Sequence, residues 1–295
     1  MTQNTSASHS VPLLEPLRDF NNLVTSLHDV TGQEELLIRD RLKIEFSHCP
    51  SAVPEGFSAE NGTPYIYDKK TEKFYEETDS FLYEVIVWNA SSEKCKMRAW
   101  ILACLRRLGL THGKILLCGD GIGVDSLYFA QLGYQVSSFE VSRYGTAFAR
   151  NMFRKYHAKV RIYNSLEEIR NKSGNGIKEE IGINEENVVR NDTDAENGNF
   201  DVILCLDVLE HLPNPLKAVS EVVKFLRPGG FFIHSSPFYL VAPPWPTHLE
   251  KNRKYSGKIR LFEKAGKMRC IDGRFLQNPI VFQKIDETEK GQELQ

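Results

Sequence analysis

Residues 200–237 read FDVILCLDVLEHLPNPLKAVSEVVKFLRPGGFFIHSSP. The run 201–206 is apolar and short, which suits a buried strand, and 230–235 repeats that character after the turn Pro228-Gly229-Gly230. Between them, 215–226 is spaced as an amphipathic helix. Strand, helix and strand in under forty residues form a βαβ unit and imply a parallel sheet. Directly behind the first strand stand three ionisable side chains, Asp207, Glu210 and His211.

The same alternation extends on both sides of this block. Upstream, 114–118, 135–139 and 159–163 read as strands, and 124–132 and 143–156 as helices. Downstream, a helix is expected near 252–265, followed by strands 268–276 and 280–284. Between the two halves, 171–199 is rich in Asn and Gly and holds three basic against seven acidic residues, so it reads as a surface or disordered insertion. The first ninety residues have another character. Leu14, Leu17, Phe20, Val24 and Leu27 fall at helical spacing, and a second helix is expected from Thr31, where Glu34 completes a capping-box pattern. Residues 50–77 turn to Pro, Gly, Asn and Tyr and read as a loop with a short hairpin around Tyr65 and Tyr67. Helices resume near Asp79 and over 91–108, where Gly109 supplies the stop. The division expected is a disordered tail 1–10, a mainly helical cap 11–90, an α/β domain 91–285 carrying the insertion, and a loose tail 286–295.

The strand 114–118 runs into Gly119-Asp120-Gly121-Ile122-Gly123 and then a helix. Glycines there allow a sharp turn and a close ligand approach, and the helix N-terminus offers free N–H groups. Glu140 ends the next strand about twenty residues on, where a nucleotide-binding sheet places the carboxylate that holds ribose hydroxyls. Gly121, Gly123 and Ser126 nearly satisfy a dinucleotide fingerprint, so this much fits either NAD or another nucleoside cofactor.

Taken together, GDGIG, Glu140, the strand into Asp207-Val208-Leu209-Glu210-His211 and the Pro228-Gly229-Gly230 turn resemble the class I S-adenosylmethionine-dependent methyltransferases in order and spacing over about residues 91–285. The resemblance implies an α/β fold: a Rossmann-like, seven-stranded, mostly parallel sheet with its last strand antiparallel, here with a helical N-terminal extension. It implies S-adenosylmethionine as methyl donor. Gly119, Gly121 and Gly123 would pass the methionine part, with Asp120 in the same loop as either a contact or a turn residue. Glu140 would hold the ribose, Asn164 or Ser165 (alternatively Asp192) would meet the adenine, and the backbone through Leu206 and Asp207 would face the methionine amino group. The chain departs from the family at Leu117, a position commonly acidic there.

Methyl transfer is an in-line displacement from an activated donor, so the enzyme mainly holds the reactants in line, and a hydroxyl acceptor also benefits from a nearby base. His211 and His248 are the catalytic candidates, each with a structural role as its alternative. Asp207, Glu210, His211 and His248 also resemble the metal set of small-RNA 2′-O-methyltransferases. Position 207 is Asp where that set has Glu, and the same block occurs in metal-free relatives, so a divalent metal is not expected.

The whole chain has 295 residues, 37 Lys and Arg against 39 Asp and Glu, and six cysteines without metal spacing. That balance gives no overall footprint for nucleic acid, and no apolar run reaches the ~20 residues of a membrane span. The polar start and scattered cysteines lead to the expectation of a reduced, cytoplasmic protein. Residues 251–269 hold eight basic side chains and one Glu, either a solvated helix face with Ile259, Leu261, Phe262 and Ala265 inward or a surface for an anionic acceptor. Tyr65, Tyr67, Tyr75, Phe81 and Tyr83 are read as small-core packing or as one wall of an acceptor pocket, and the proline-rich loop 238–246 as its opposite wall. The reading is an O-methyltransferase acting on a small or medium, sugar- or nucleotide-like and anionic acceptor. An RNA ribose methyltransferase and a noncatalytic cofactor-binding protein are the alternatives.

Overall fold

The apolar runs become β1 (Lys114–Cys118), β2 (Gln135–Phe139), β3 (Val160–Tyr163), β4 (Phe200–Leu206), β5 (Leu226–Ser235), β6 (Met268–Asp272) and β7 (Ile280–Lys284). A computed structural model describes residues 17–172, 200–273 and 279–286. The expected tail 1–10, the insertion from residue 173 on, Asp192, and the last tail from 287 lie outside the described residues. The strands join in one sheet in the order β3-β2-β1-β4-β5-β7-β6. β7 runs antiparallel to both its neighbours, and the pairs from β3 through β5 are parallel, as the resemblance implies.

Both faces of this sheet are covered, which is why Ile115–Cys118 of β1 and Val202–Leu206 of β4 are unbroken apolar runs. Leu116, Cys118, Ile203, Cys205 and Phe232 face one core, and Ile115, Leu117, Val202, Leu204 and Ile233 face the other. The helices are α1 (Phe20–Thr31), α2 (Glu35–Ser47), α3 (Ala52–Ala59), α4 (Lys69–Glu77), α5 (Ser80–Ala90), α6 (Ser92–Arg107), α7 (Val124–Gln131), α8 (Arg143–Lys155), α9 (Leu166–Lys172), α10 (Pro215–Val222) and α11 (Ile259–Gly266). Leu23, Val24 and Leu27 of α1, Ile38 and Leu42 of α2 and Ile86 of α5 share a core with Ile122, Val124 and Phe148, so the N-terminal helices rest on the glycine loop and α8.

Three local expectations change. Thr31 ends α1 with its hydroxyl donating to the Leu27 carbonyl, and Glu34 makes no side-chain cap, so the capping box is not formed. The stretch 50–77 contains α3 and α4 instead of a hairpin; Asp68 caps α4 by accepting from Lys70 N and Thr71 N, both at 2.9 Å. In α11 Phe262 is buried, but Leu261 is 39% exposed and belongs to the outer face.

Candidate functional site

The chain leaves β1 for β2 and β3 on one side and later returns to β4 and β5 on the other. The carboxyl ends of β1 and β4 therefore border the switch point where open α/β sheets bind ligands. A cleft of about 440 Å³ lies there, lined by Val85, Trp88, Lys94, Gly119, Gly121 and Asp207 among others.

The three loop glycines have φ of 72°, 61° and 79°, a region costly for side-chain-bearing residues. A Cβ on Gly119 would meet Val208 Cγ2 at 2.5 Å, and one on Gly123 would meet Ala149 Cβ at 2.7 Å. Glu140 follows β2 and accepts from Gly121 N at 2.7 Å and Ser142 N at 2.8 Å, tying the loop to the start of α8. Burial raises its pKa against the pull of these donors. Asp120 accepts from Asp125 N at 3.2 Å and Ser126 N at 3.0 Å, so its carboxylate caps α7 as a turn residue does. Burial, with the Asp125 carboxylate next, pushes Asp120 up to about 8. Leu206 is buried at the end of β4, and Asp207 follows at φ 59° with its N–H donating to Ser235 O at 2.7 Å. Asn164 and Ser165 lie exposed beyond β3. Asn164 N donates to Glu168 Oε2 and Ser165 Oγ accepts from Glu168 N, a reciprocal cap on α9.

Behind the cleft lies a charged network contributed by the helices. Lys94 and Arg98 sit on the same buried stripe of α6 as Ile101 and Leu105. Lys94 Nζ is 3.3 Å from Asp125 Oδ2 and 3.2 Å from Asp207 Oδ2, and Arg98 Nε donates to Asp125 Oδ1. Arg98 also donates to the carbonyl and side-chain oxygens of Asn89, and Trp88 Nε1 donates to Asp207 Oδ2 at 3.0 Å. Burial opposes the Lys94 charge, but Asp125 and Asp207 outweigh it and raise the pKa. Burial likewise opposes ionisation of Asp125, and Lys94 and Arg98 reverse the sign and lower it.

On the other side of Asp207 the loops after β4 and β5 meet. Leu249 N donates to Glu210 O at 3.1 Å, and the buried Asn252 amide donates to the carbonyls of Leu209, Glu210 and Leu212 at 3.4, 3.0 and 2.9 Å. These bonds bring Glu210, His211 and His248 together, with ligating atoms all within 4.8 Å of one another. His211 Nδ1 lies 2.7 Å from Tyr75 Oη and 3.2 Å from Thr247 O, and His248 Nδ1 donates to Leu240 O at 2.5 Å. The rings meet edge to face with centroids 4.6 Å apart. Burial lowers both imidazoles, His211 further through its neighbour His248, so both are neutral near pH 7. Burial, with Asp207 beside it, holds Glu210 well above the usual carboxylate range.

Of the sequence candidates, the structure joins Glu210, His211 and His248, sets Asp207 beside them in the hands of Trp88 and Lys94, and leaves Asn164 and Ser165 beyond β3. Tyr75, expected among packing aromatics, stacks on Phe81 at 4.9 Å and also reaches His211. Lys94, Arg98, Asp125 and Asn252 were not legible as site residues. The available signal was the phase of Lys94 and Arg98, which continue the apolar stripe of their helix at i, i+4 and i+7 to Ile101.

The profile of a family described as a methyltransferase domain matches residues 90–278, well over half of the chain. The chain belongs to this family. Among curated relatives, the ubiquinone biosynthesis O-methyltransferase of Thiobacillus denitrificans is 27% identical over 130 residues, 44% of this chain and 47% of that protein. The protein of the same description from Burkholderia vietnamiensis is 32% identical over 89 residues, 27% of this chain and 38% of that protein. The matched segments thus span under half the length of these relatives. A solved S-adenosylmethionine-dependent methyltransferase from Clostridium acetobutylicum aligns over 70% of this chain and 97% of its own, at 14% identity and a TM-score of 0.47. Within the methyltransferase domain, the glycine loop, Glu140 and the Glu210–His248 cluster all lie inside the matched span. Among the described residues no helix is long and apolar enough to cross a membrane.

Proposed function

We propose that the protein transfers a methyl group from S-adenosylmethionine to a hydroxyl of a small or medium, anionic acceptor. The observation that carries this reading is the convergence of two neutral histidines, each anchored through Nδ1 and with Nε2 left for an acceptor, beside the mouth of a glycine-floored cleft. The cleft fits the donor chemically: a floor without side chains, a carboxylate at Glu140 for ribose hydroxyls, and Leu206 and Asp207 at the end of β4 for the methionine end. Asn164 or Ser165 is assigned to the adenine, and Asp120 holds the loop to α7. S-adenosylmethionine, when bound, supplies a methyl already activated on sulfur. The protein's task is alignment, and His211 and His248 promote loss of the acceptor's hydroxyl proton. O-methylation also accords with the description of the matched relatives. An anionic acceptor is favoured because the eight exposed Lys and Arg of 251–269 begin three residues after His248. The six free cysteines suit a reducing cytoplasm.

The test is calorimetric titration with S-adenosylmethionine, followed by an acceptor screen that reads release of S-adenosylhomocysteine. Wild type should bind and turn over, Glu140→Ala should weaken binding, and His248→Ala should keep binding and lose about 10²-fold or more in kcat. No binding by wild type, with Glu140→Ala no different, would refute the reading. Binding without turnover across hydroxylated acceptors would make the protein a cofactor-binding module instead.

A further inference from the structure

We propose that the face built by α11, the 3₁₀ turn Glu250–Tyr255 and Tyr239 docks on an anionic lipid bilayer. The helix is divided along its length. Phe262 and Gly266 are buried on one side, while Arg260, Leu261 and Lys264 share the outer side, Leu261 with 39% of its surface exposed. Lys258 stands exposed just before the helix, and Lys254 is exposed on the turn. The acids beside them are already engaged: Glu250 pairs with Arg253 at 3.3 Å, and Glu263 accepts from Cys270 N at 2.8 Å. Among the described residues no carboxylate pairs with Lys254, Lys258, Arg260 or Lys264. In a chain of net charge −2, the eight basic side chains and one acid of 251–269 are a local excess with no general one behind it.

Charge alone fits any polyanion, and two apolar groups within the cationic face narrow the partner. One is Leu261; the other is Tyr239, which is 56% exposed in the loop after β5. Phe238, the residue before it, stacks on Phe262 at 5.8 Å and meets Tyr255 at 5.8 Å, which gathers that loop, the turn and α11 at one place. A leucine gains nothing against a phosphate backbone but gains by entering the acyl boundary of a bilayer, and tyrosine favours the headgroup level. Long Lys and Arg stems keep their charges among the headgroups while the apolar neighbours sink. The face therefore matches an anionic bilayer in both charge and polarity, and the contact is peripheral.

This face adjoins the site. Leu240, next after Tyr239, accepts from His248 Nδ1. A protein docked here holds His248 close to the membrane, so the acceptor it meets is an amphiphile whose hydroxyl lies at the headgroup level. That consequence rests on the methyltransferase reading above; the docking does not.

The experiment is co-sedimentation of the full chain with vesicles of phosphatidylcholine alone or with about a third phosphatidylglycerol, at low and high salt. Wild type should bind the mixed vesicles, release them as salt rises, and ignore pure phosphatidylcholine. Lys258→Gln, Arg260→Gln and Lys264→Gln should each weaken partition by about 5-fold, and Leu261→Ser, which leaves the charge unchanged, by about 3-fold. Lys43 is exposed on α2, and Lys43→Gln should leave partition unchanged. Far-UV circular dichroism verifies the fold of each variant. No binding to the mixed vesicles, equal binding to both compositions, or a loss as large for Lys43→Gln as for Lys258→Gln overturns the proposal. Charge variants that weaken binding while Leu261→Ser does not also overturn it, because the face then serves a soluble polyanion, for which a single-stranded RNA oligonucleotide is the probe. Sedimentation reads no methyl transfer, so failure here leaves the methyltransferase reading intact, and failure of donor binding leaves the vesicle result intact.

Discussion

Two groups of buried ionisable side chains flank Asp207, and they are built on opposite terms. On one side, Lys94 and Arg98 share the Asp125 and Asp207 carboxylates, and Arg98 spends its remaining donors on Asn89. On the other, among the described residues Glu210 has no basic side chain within ion-pair distance except His211, whose neutral ring puts Nε2 3.9 Å from Oε1, and His248 stands within 4.8 Å. A buried charge whose counter-charge the chain supplies acts as scaffold; one left short is where a ligand enters. The scaffold also links regions far apart in sequence, since Lys94 and Arg98 come from α6 and Asp207 from the end of β4. If this division is right, breaking the satisfied group damages the fold most. Arg98→Met strips Asp125 of its shortest partner and leaves Asn89 without donors, at an expected cost of about 3–5 kcal/mol in chemical denaturation. A cost below about 1 kcal/mol would mean that Lys94 alone satisfies Asp125, and the contrast would fail.

His234 limits how far an orphaned atom can be read as a site. Both of its ring nitrogens lack partners and the residue is 2% exposed. Yet Phe282 stacks on it at 5.7 Å and Phe262 lies at 5.0 Å, and among the described residues it belongs to no group of three ligating side chains. Burial pulls its pKa down to about 4 from 6.5. Below pH 6.5 the unfolded chain takes a proton that the folded ring refuses, so stability falls as pH drops, and the loss is complete near pH 4. The full effect is about 3 kcal/mol. Comparing denaturation midpoints of wild type and His234→Leu between pH 7 and 4 isolates it, because the other histidines titrate in both. Parallel pH profiles would show that the ring is protonated within the fold, and that orphaned nitrogens here are accessible after all.

These contrasts also separate what the amino-acid order exposes from what it conceals. The strands, the glycine loop and Glu140 were legible because each is a local pattern: an apolar run, a φ-permissive turn, an acid at a strand end. Their order gave the parallel βαβ part of the sheet, and the antiparallel last strand came from the family resemblance. Residues 50–77 were misread because Pro, Gly and Tyr at its start suggested loop, while α3 and α4 gain their stability from Phe57 and Phe74 packed edge to face at 5.2 Å. That contact links two short helices and leaves no period in either. His211 and His248 were legible as candidates, but their meeting depends on Asn252, hidden in a segment that reads as a run of surface charge. Lys94 and Arg98 were concealed by the ordinary expectation that such side chains face water.

The smallest expected effect is the most discriminating, because its sign differs from that of Arg98→Met. Glu210→Gln keeps the shape of the side chain and removes the possibility of charge. The contact of the carboxyl with the Ser236 side chain survives, since the Gln oxygen can still accept from that hydroxyl. Stability should therefore stay level or rise by about 1 kcal/mol. Replacement of a scaffold carboxylate could not do this: Asp125 holds Arg98 and Lys94, and neutralising it would strand two cations. A loss of about 2 kcal/mol or more on Glu210→Gln would mean that Glu210 already serves the fold, and the two groups flanking Asp207 would then be of one kind.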